Sequence, residues 1–589
     1  MVEKKETQPA DKKHNVKVAN ISQLLLGLVI IILVNVIGSY VYTRFDLTSE
    51  KRYSLSNATK DMLSDINDLV YFRVYLEGEF PAGFKRLSRE TRDMLREFRA
   101  YNRNIEFEFI NPSASSDNQE RQGIYSMLID KGLEPTELNV KTKEGTSQKV
   151  IFPGAIATYR GKEMPVNLLA SQRGAPPEEI LNSSIQNLEF ALADAVRKLV
   201  DDLRPKIAFI QGHGELSKDE TADAYLGLSE YYTVEWVRLD EKLNSLTERV
   251  QVDSLTTRVE NKYEAIIIAR PDSMFSEKDK FIIDQHIMRG GKVMWLVDPV
   301  YASMDSLQMN AETIGLNLDL GLTDMFFKYG FRLNNNLVMD LNALPIPVKT
   351  GDVGGQPQFE FFPWYYFPII TPLSDDPIVK NLNAIKTEFV SSIDFVESAP
   401  DIDKEVLLHT SRYSRTVNAP VFITLEIVGQ PPDERLYRKE FVPVAVKVEG
   451  AFESLYNNRV PPEIMESQEI GFEAKSPETK MIVIADGDVI RNQFQRSGGQ
   501  MLPLPLGYDR YTGQQFGNRE LILNAMNYLT DDSGLISIRS RDLKLRLLDR
   551  TKVEDERVYW QVLNTVLPVL LVVIFGIVLS VIRKRKYAK

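Results

Sequence analysis

The chain contains no cysteine. This absence excludes disulfide bonds, zinc or iron–sulfur centres held by cysteine, thiol nucleophiles and an anchor lipidated on an N-terminal cysteine. The phosphate-binding pattern GxxxxGK[ST] is also absent, so the chain is not expected to act as its own ATPase. Histidine is scarce, with four in 589 residues, so any site that depends on histidine must use one of these four.

The remaining composition is that of a globular protein, and its charge is unevenly distributed. At about 100–200 residues per domain, the length allows roughly three to five domains. The net charge is −11, but residues 1–20 contribute +2 and the last seven residues +5, which leaves −18 for the chain between them. Such an acidic block argues against nucleic acid as a partner and against adhesion to an anionic membrane surface.

Two long segments, 21–43 and 561–582, carry no charged residue. Each matches the length of about 20 apolar residues that a membrane-crossing helix needs, so we expect transmembrane helices at 21–43 and 560–582. The alternatives are a cleaved signal peptide for the first segment and a buried core helix for the second. Lysines before the first segment and the basic tail 583–589 after the second place both termini in the cytoplasm under the positive-inside rule.

The chain between the two apolar segments has the pattern of an α/β protein. Segment 67–204 reads βαβαββ and then helix, a thioredoxin-like layout in which the absence of CxxC excludes redox chemistry. The expected organisation is a cytoplasmic N-terminus (1–20), a stalk (44–66), this first α/β domain (67–204), a second α/β domain (205–535) with an insertion at about 301–480, and a juxtamembrane stalk (536–559).

The second α/β domain is expected to be doubly wound. The apolar runs KIAFIQ, YEAIIIARP and KVMWLVDP alternate with helical segments, which is typical of a parallel sheet covered on both faces. The later run KMIVIADGDVI, residues 480–490, is expected to complete this sheet.

Candidate ligand-binding residues lie where ligands bind in such sheets, at the carboxyl ends of strands. The turn QGHGE follows the first strand and supplies His213 and Glu215, and Asp298 ends a neighbouring strand. Ligand binding, a histidine–carboxylate pair in catalysis and a purely structural turn are all compatible with this pattern. A metal site needs three or more ligands, so neither a metal nor another cofactor is expected, and no catalytic residue is assigned.

Two further groups of residues are candidates for contact with protein partners. The stretch 359–367 contains seven aromatic residues, and of these we single out Trp364, Tyr365, Tyr366 and Phe367. The alternative is that they fill a core under a long loop. Asn564 in the second apolar segment is a candidate contact with a membrane partner, because polar side chains promote association of membrane helices.

Several separated motifs together resemble the GldG family, the gliding-motility-associated ABC transporter components of Bacteroidetes. They are RFDLTSEKRYSLS, KIAFIQGHGE, FIIDQHIMRGGKVMWLVDPV, GAFESLYNNR and the terminal RKRKY. The resemblance implies an auxiliary, substrate-binding-like subunit of the bacterial inner membrane with residues of about 44–559 in the periplasm, and not an enzyme. It also implies a separate multispanning permease and a separate cytoplasmic ATPase as partners, and a role in gliding motility.

Two other functions are compatible with the sequence. One is a structural or force-transmitting envelope protein whose periplasmic block binds other proteins, or a second copy of itself, and not a solute. The other is a membrane-tethered hydrolase that uses His213 and Glu215. A dry, closed crevice at His213 and Asp298 would favour the force-transmitting protein over solute capture.

Overall fold

The computed structural model describes residues 12–40, 55–142, 145–169, 176–200, 204–251, 257–310, 312–353, 355–397, 399, 401–429, 431–497, 499–531, 534–540 and 556–587. The chain divides into two compact units, Met1–Ser54 and Leu55–Lys589. The two units are described separately below.

In the first unit, helix α1 (Lys12–Tyr40) contains the apolar stretch Ile21–Val36. The large apolar side chains of this stretch are exposed, as a lipid-facing helix requires. The stretch is shorter than the roughly 20 apolar residues that cross a bilayer, and the end of the predicted span 21–43 lies outside the described residues. A membrane span at 21–43 therefore stays a prediction.

The second unit begins with a mixed α/β region. Its elements are α2 (Asn57–Ser64), β1 (Val70–Val74), α3 (Ala82–Tyr101), β2 (Ile105–Phe109), α4 (Asn118–Asp130), β3 (Thr136–Thr142), β4 (Gly145–Ile151), β5 (Gly154–Tyr159), β6 (Lys162–Asn167), α5 (Pro177–Gln186) and α6 (Leu188–Val200). A four-stranded sheet has the order β2-β1-β5-β6, in which β1 and β2 are parallel and β5 pairs antiparallel with both neighbours. The α/β class is confirmed, and the thioredoxin-like assignment stays a prediction.

The sequence pattern accounts for how this region forms its core. Strand β1 alternates buried and half-buried residues, so Val70, Phe72 and Val74 share the inner face. Helix α3 places apolar residues such as Leu87 and Leu95 on one side, and both are fully buried. The two faces meet in a single hydrophobic cluster.

Both expected stalks contribute to this same core. Leu55 and Leu63, from the predicted stalk 44–66, are buried in it, and so is Ile538 from the predicted stalk 536–559. Residues 55–66 and 535–540 are therefore folded against the first region, because their apolar side chains pack on α6 and its neighbours. Residues 557–559 of the second predicted stalk belong instead to the C-terminal helix. The rest of the two stalks, 44–54 and 541–555, lies outside the described residues.

The next region contains the parallel strands of a larger sheet. Its elements are β7 (Lys206–Gln211), α7 (Ala222–Ser229), β8 (Thr233–Arg238), β9 (Thr247–Gln251), β10 (Thr257–Asn261), β11 (Ala265–Ala269), α8 (Glu277–Met288) and β12 (Lys292–Leu296). Every residue of β11, AIIIA, is buried, as expected for a strand covered on both faces. Helix α8 begins at the N-cap Ser276, whose hydroxyl accepts the Asp279 N–H, and is followed by Gly290 with a φ of +83°.

A long excursion follows, made mostly of small sheets. Its elements are β13 (Val300–Tyr301), α9 (Met304–Asn310), β14 (Glu312–Asn317), α10 (Thr323–Lys328), β15 (Phe331–Leu333), β16 (Asn336–Asp340), β17 (Ala343–Val353), β18 (Gln356–Ile370), β19 (Ile385–Lys386), β20 (Ile393–Phe395), β21 (Ile402–His409), β22 (Ser414–Asn418), β23 (Val421–Thr424) and β24 (Pro443–Glu453). Strands β17 and β18 form a long antiparallel hairpin.

The chain then returns to the large sheet. The last elements of the folded block are α11 (Pro462–Met465), β25 (Lys475–Ile484), β26 (Phe494–Ser497), β27 (Gln500–Pro503), β28 (Tyr508–Asp509), β29 (Gln514–Gln515) and α12 (Asn518–Thr530). The seven-stranded sheet has the order β21-β24-β25-β12-β11-β7-β8, parallel from β8 to β25 and antiparallel at β24 and β21. Helices α7 and α12 cover one face and α8 the other.

The segment 301–480 is therefore not a simple insertion outside the sheet. Two of its strands, β21 and β24, extend the sheet beyond β25 through antiparallel pairing. The reason is physical: the edge of β25 would otherwise expose unpaired backbone groups, and β24 satisfies them. The sequence pattern did not predict that β21 and β24 join this sheet.

The last helix is α13 (Arg557–Tyr587). It is mostly apolar, contains Pro568 and a few polar residues, and carries basic residues near its C-terminal end. Its segment Arg557–Arg585 is long and apolar enough to cross a membrane, and none of the apolar window is buried. The predicted span 560–582 lies within this helix.

One buried carboxylate ties the returning chain to helix α8. Asp284 accepts hydrogen bonds from the Tyr329 hydroxyl (2.8 Å), the Ser454 hydroxyl (2.7 Å) and the Leu455 N–H (2.8 Å). The motifs FIIDQHIMRGG and GAFESLYNNR, far apart in sequence, thus meet at this side chain. Because Asp284 is fully buried, the donors that it satisfies have no access to water.

We expect Asp284→Ala to destabilise the folded block by about 3 kcal/mol or more, because it leaves several buried donors unpaired. The measurement is urea unfolding of the detergent-solubilised full chain, followed by tryptophan fluorescence. The control is Asp219→Ala, which removes an exposed carboxylate from a turn of the same sheet. Equal stability of the two variants would contradict a structural role for Asp284.

Candidate functional site

Three neighbouring parallel strands end at one edge of the large sheet, each followed by a charged residue. Arg270 directly follows β11, and Asp298 and Asp486 each lie two residues after β12 and β25. The strand ends are aligned, because Ala269 pairs with Leu296 and Leu296 with Ile484. The three side chains are thereby gathered at the carboxyl edge, where ligands bind in such sheets.

Asp298, one of the predicted ligand residues, joins two of these strand ends. Its Oδ2 accepts a hydrogen bond from Arg270 Nε at 3.1 Å, and its Oδ1 accepts the Gly487 N–H at 2.6 Å. Gly487 approaches closely, since a Cβ built there would lie 2.4 Å from Arg270 Cβ. Arg270 itself has a φ of +54°, an uncommon conformation for a residue with a side chain.

Two further aspartates complete a buried charged cluster. Asp486 is fully buried and accepts the backbone N–H groups of Glu388 (2.7 Å) and Asp488 (2.8 Å). Asp488 lies 3.4 Å from Arg270 Nη1 and 3.3 Å from Arg491 Nη1. The Asp486 carboxylate is thus held by hydrogen bonds from backbone N–H groups, whereas the Asp488 carboxylate is paired with two guanidinium groups.

Burial dominates the protonation of this cluster. It raises the pKa of Asp488 to about 7, although the Arg270 guanidinium opposes the shift. It also raises the pKa of Asp298 against the effect of Arg270. Burial, reinforced by the Asp298 and Asp488 carboxylates, raises the pKa of Asp486 well above its ordinary range. The cluster therefore holds a carboxyl group that titrates near neutral pH.

A cleft of about 610 Å³ opens beside this cluster. Arg270 and Asp488 line it, together with Lys386, which is buried and lies 2.8 Å from Glu388 Oε1. The volume is within the range of small-ligand sites, about 300–1,000 Å³. The cleft is accordingly the candidate binding site in the described part of the chain.

The other two predicted ligand residues, His213 and Glu215, form a separate closed network. His213 Nδ1 lies 3.2 Å from Glu215 Oε1, and His213 Nε2 lies 3.1 Å from Asp279 Oδ2 in α8. The ring stacks on Phe275 with the centroids 3.7 Å apart. Both nitrogens are therefore engaged within the protein, and the side chain is 5% exposed.

The turn that carries His213 also fills the crevice between β7 and β11. This crevice is the topological switch point of the sheet, because β8 adds on one side of β7 and β11 on the other. The His213 carbonyl accepts the Asp272 and Ser273 N–H groups, and the Leu216 N–H donates to Ala269. Gly214 has a φ of +74° and lies against Asp272, so only glycine fits there without rearrangement. The geometry supports the structural interpretation of the GHGE turn over ligand binding or catalysis.

The aromatic segment is divided between core and surface. Trp364, Tyr365, Tyr366 and Phe367, the predicted partner contacts, are buried in a cluster beneath the β17–β18 hairpin. They do not form an exposed surface in this fold, because β18 turns its second half inward. The exposed aromatic residues are Phe359 and Phe361, at 56% and 54%.

Asn564 lies on α13 with its side chain exposed. Its contact with a membrane partner stays a prediction. Within the described residues, no group of three or more histidine, aspartate and glutamate side chains is placed to hold a metal ion.

Sequence reasoning missed Arg270, Asp279 and Asp488. A signal existed for Arg270, since it follows the most apolar strand of the sheet, as Asp298 follows the next. Asp486 and Gly487 lie at the end of the run KMIVIADGDVI, whose apolar pattern predicts a strand but no site. Asp279 gave no signal, because it lies 66 residues from His213 and contacts it only through the fold.

The environment of His213 predicts a pH dependence of stability. Burial lowers the pKa of His213, but the Glu215 and Asp279 carboxylates outweigh burial, and the net shift is upward. A group whose pKa is raised on folding stabilises the folded state fully below its unfolded value, about 6.5, and this contribution is lost as the pH rises through the folded pKa.

We therefore expect the wild type to exceed His213→Gln in stability most strongly below about pH 6.5. The difference in unfolding free energy should fall at higher pH, by about 1.4 kcal/mol for each unit by which folding raises the pKa of His213. Melting temperatures of the full chain between pH 5.5 and 9 measure the difference. His409→Gln is the matched control, because that ring contacts the Thr410 carbonyl and no carboxylate. A difference that grows with pH would refute the assignment.

Comparisons with known proteins place the chain among transport components. The model of a family described as an ABC-type uncharacterized transport system matches residues 204–525, which contain the cleft and the GHGE turn. A second model, described as a domain of unknown function, matches residues 49–158.

Among individual relatives, an uncharacterized protein of Borreliella burgdorferi is 20% identical over 577 residues, covering 96% of this chain and 98% of the relative. A solved structure named mmIFT52 N-terminal domain covers 55% of this chain and 98% of its own, with 11% identity and a TM-score of 0.30, a likeness too low to carry an argument. The family match spans more than half of the chain, and the protein accordingly belongs to this family of ABC-type transport systems, as an auxiliary component.

Proposed function

We propose that the chain is the extracytoplasmic auxiliary subunit of an ABC transporter, anchored in the bacterial inner membrane at both ends. It acts with a separate multispanning permease and a separate cytoplasmic ATPase. The observation that carries the proposal is that the folded block begins and ends in one hydrophobic core. The chain therefore enters and leaves the folded block at the same hydrophobic core.

The start of the block is tied to helix α6. The Glu189 carboxylate accepts the Ser56 N–H at 2.6 Å and the Thr59 hydroxyl at 2.8 Å, and Leu55 is buried beside them. A buried carboxylate with two donors holds the start of the block against α6.

The end of the block is tied to the same helix. The 3₁₀ helix Leu535–Ser540 follows α12 and packs against α6. Leu535 and Ile538 are buried in the core that contains Leu55. From residue 540, 16 residues lead to the start of α13 at Arg557.

Charge supports the orientation. The basic ends, 1–20 and 583–589, belong in the cytoplasm, and the acidic block of about 44–559 belongs in the periplasm. With no phosphate-binding loop, the energy for transport must come from a partner ATPase.

The resemblance to the GldG family supports gliding motility as the process served. The alternative is a structural or force-transmitting envelope protein that binds other proteins or a second copy of itself. The closed crevice at His213 favours that alternative, whereas the open cleft beside Asp488 favours ligand binding.

A labelling experiment tests the orientation, because the chain has no cysteine of its own. We expect Asp219→Cys, in the folded block, to react with a membrane-impermeant maleimide in cells with a permeabilised outer membrane. Ala10→Cys and Ala588→Cys should react only after lysis. Reaction at residue 10 before lysis, or loss of that residue from the mature chain, would overturn the double anchor.

The partnership is tested by native mass spectrometry of the complex extracted in mild detergent. We expect the chain to appear with a multispanning permease and an ATPase. Finding the chain alone even after crosslinking in cells would refute the partnership.

Asn564→Ala extends this test to the membrane segment, because an exposed amide in a membrane helix favours contact with another helix. We expect it to reduce permease recovery. Thr565→Ala is the matched control, since the Thr565 hydroxyl already bonds the Gln561 carbonyl within α13. Equal recovery in both variants would exclude Asn564 as a contact.

A further inference from the structure

A second pocket, of about 170 Å³, lies in the first α/β region, where α6 meets the 3₁₀ helix Leu535–Ser540. It shares no lining residue with the cleft beside Asp488. Its walls come from β6 and the loop that follows it, from α5 and α6, and from Arg539 of the 3₁₀ helix. Among the described residues, the lining of this pocket therefore contains one cation, Arg539, and no carboxylate.

Arg539 is a partly buried cation with an incomplete set of hydrogen-bond acceptors. Its Nη1 donates to Asn524 Oδ1 in α12, and its Nη2 reaches the Lys380 carbonyl only at 3.5 Å. Its Nε is buried and has no hydrogen-bond partner among the described residues. Both acceptors that it does contact are uncharged, so the positive charge is left without an ion pair.

Arg289 shows how this fold satisfies a partly buried arginine without a carboxylate. Its Nη1 donates to the Gln285 carbonyl at 3.1 Å, and its Nη2 donates to the carbonyls of Ile470 (2.8 Å) and Gly471 (2.7 Å). Backbone oxygens thus surround that guanidinium. Arg539 lacks such a set of oxygens and lines a pocket instead.

The charge of Arg539 is poorly compensated by the surrounding protein. Burial lowers the pKa of Arg539 to about 10, although the Asp194 and Glu520 carboxylates oppose the shift. Asp194 is already paired with Arg197, at 3.1 Å, and with Lys198. A cation that loses hydration without gaining a partner is unfavourable, so an anion that enters the pocket is favoured.

We propose that this pocket binds a phosphate group, which pairs with the Arg539 guanidinium. The planar guanidinium matches the spacing of two phosphate oxygens. Asn187 also lines the pocket, and its Oδ1 has no hydrogen-bond partner among the described residues. A hydrogenphosphate ion has acceptor oxygens for the arginine and a hydroxyl for this amide oxygen, whereas a carboxylate ion can only accept.

The size of the pocket limits what can carry the phosphate. At about 170 Å³ it is smaller than the roughly 300–1,000 Å³ of sites for drug-sized ligands. Free phosphate and the phosphate of a lipid headgroup share the chemistry that Arg539 recognises. The proposal goes beyond the transport function and does not depend on it.

A phosphate held in this pocket also has a structural consequence. Arg539 belongs to the 3₁₀ helix at the end of the folded block, and Asn187 directly precedes α6. An ion that contacts both adds a link between the end of the block and its first region. Because the ion binds the folded chain, it should raise the stability of that chain.

The first experiment measures binding to the full chain in dodecyl maltoside micelles, which carry neither charge nor phosphate. Inorganic phosphate is titrated calorimetrically at an ionic strength held constant with chloride, and dioctanoyl phosphatidylglycerol is titrated separately. We expect at least one of the two to bind with a Kd below about 1 mM. Arg539→Gln should weaken that binding at least about tenfold, because it removes hydrogen bonds to a charged group.

Arg86 on α3 provides the matched control. Its Nη1 donates to Asn182 Oδ1 at 3.3 Å, as Arg539 donates to Asn524, but Arg86 does not line the pocket. We expect Arg86→Gln to bind phosphate as the wild type does.

Melting temperatures separate binding from a purely structural role of Arg539. In chloride alone, Arg539→Gln should melt no lower than the wild type, because it removes a poorly compensated cation. At saturation with the probe that binds, the wild type and Arg86→Gln should each gain about 2 °C or more, and Arg539→Gln should gain none.

Four outcomes would overturn the proposal. They are no binding of either probe, equal binding by the wild type and Arg539→Gln, equal weakening by the two arginine variants, or an Arg539→Gln destabilisation that is the same with and without the probe. Binding of phosphatidylglycerol without binding of inorganic phosphate supports a lipid headgroup as the source. Binding of inorganic phosphate supports a free ion.

Discussion

The pairing of β25 with β12 is the constraint on which the second half of the molecule depends. It returns the chain to the sheet after an excursion that begins at Val300, and β24 and β21 can add to the sheet only once β25 is in place. Asp298 secures the pairing at the carboxyl end, where it accepts the Gly487 N–H at 2.6 Å. A charge-assisted hydrogen bond in a buried setting is short and directional, so it also fixes the register.

The same constraint determines where the carboxyl edge of the sheet is open. Between β7 and β11 the GHGE turn occupies the edge, and the His213 ring is held by carboxylates on both sides. Beyond β12 the returning chain brings Asp486 and Asp488 to the edge, and a cleft opens beside Asp488. The candidate binding site therefore lies one strand pair away from the β7–β11 crevice, which is where the topology alone predicts a ligand site.

The sequence predicted the elements whose signals are local. The buried strand AIIIA follows from its unbroken apolar run, and the apolar helix α13 follows from its length and composition. It did not predict that β21 and β24 join the large sheet, because alternation shows that a strand exists but not which neighbour it pairs with.

The candidate site was predictable only in part, for the same physical reason. Asp298 and His213 were found because each follows an apolar strand, whereas their partners Gly487 and Asp279 are distant in sequence. The aromatic segment was ambiguous, since Trp364 has the same composition signal whether it fills a core or covers a surface. Burial is a property of the assembled fold, and here it assigned Trp364 to the core. It likewise raised the pKa of Asp488 to about 7, because burial penalises the charged carboxylate and the neighbouring Glu388 and Asp298 carboxylates add to this effect.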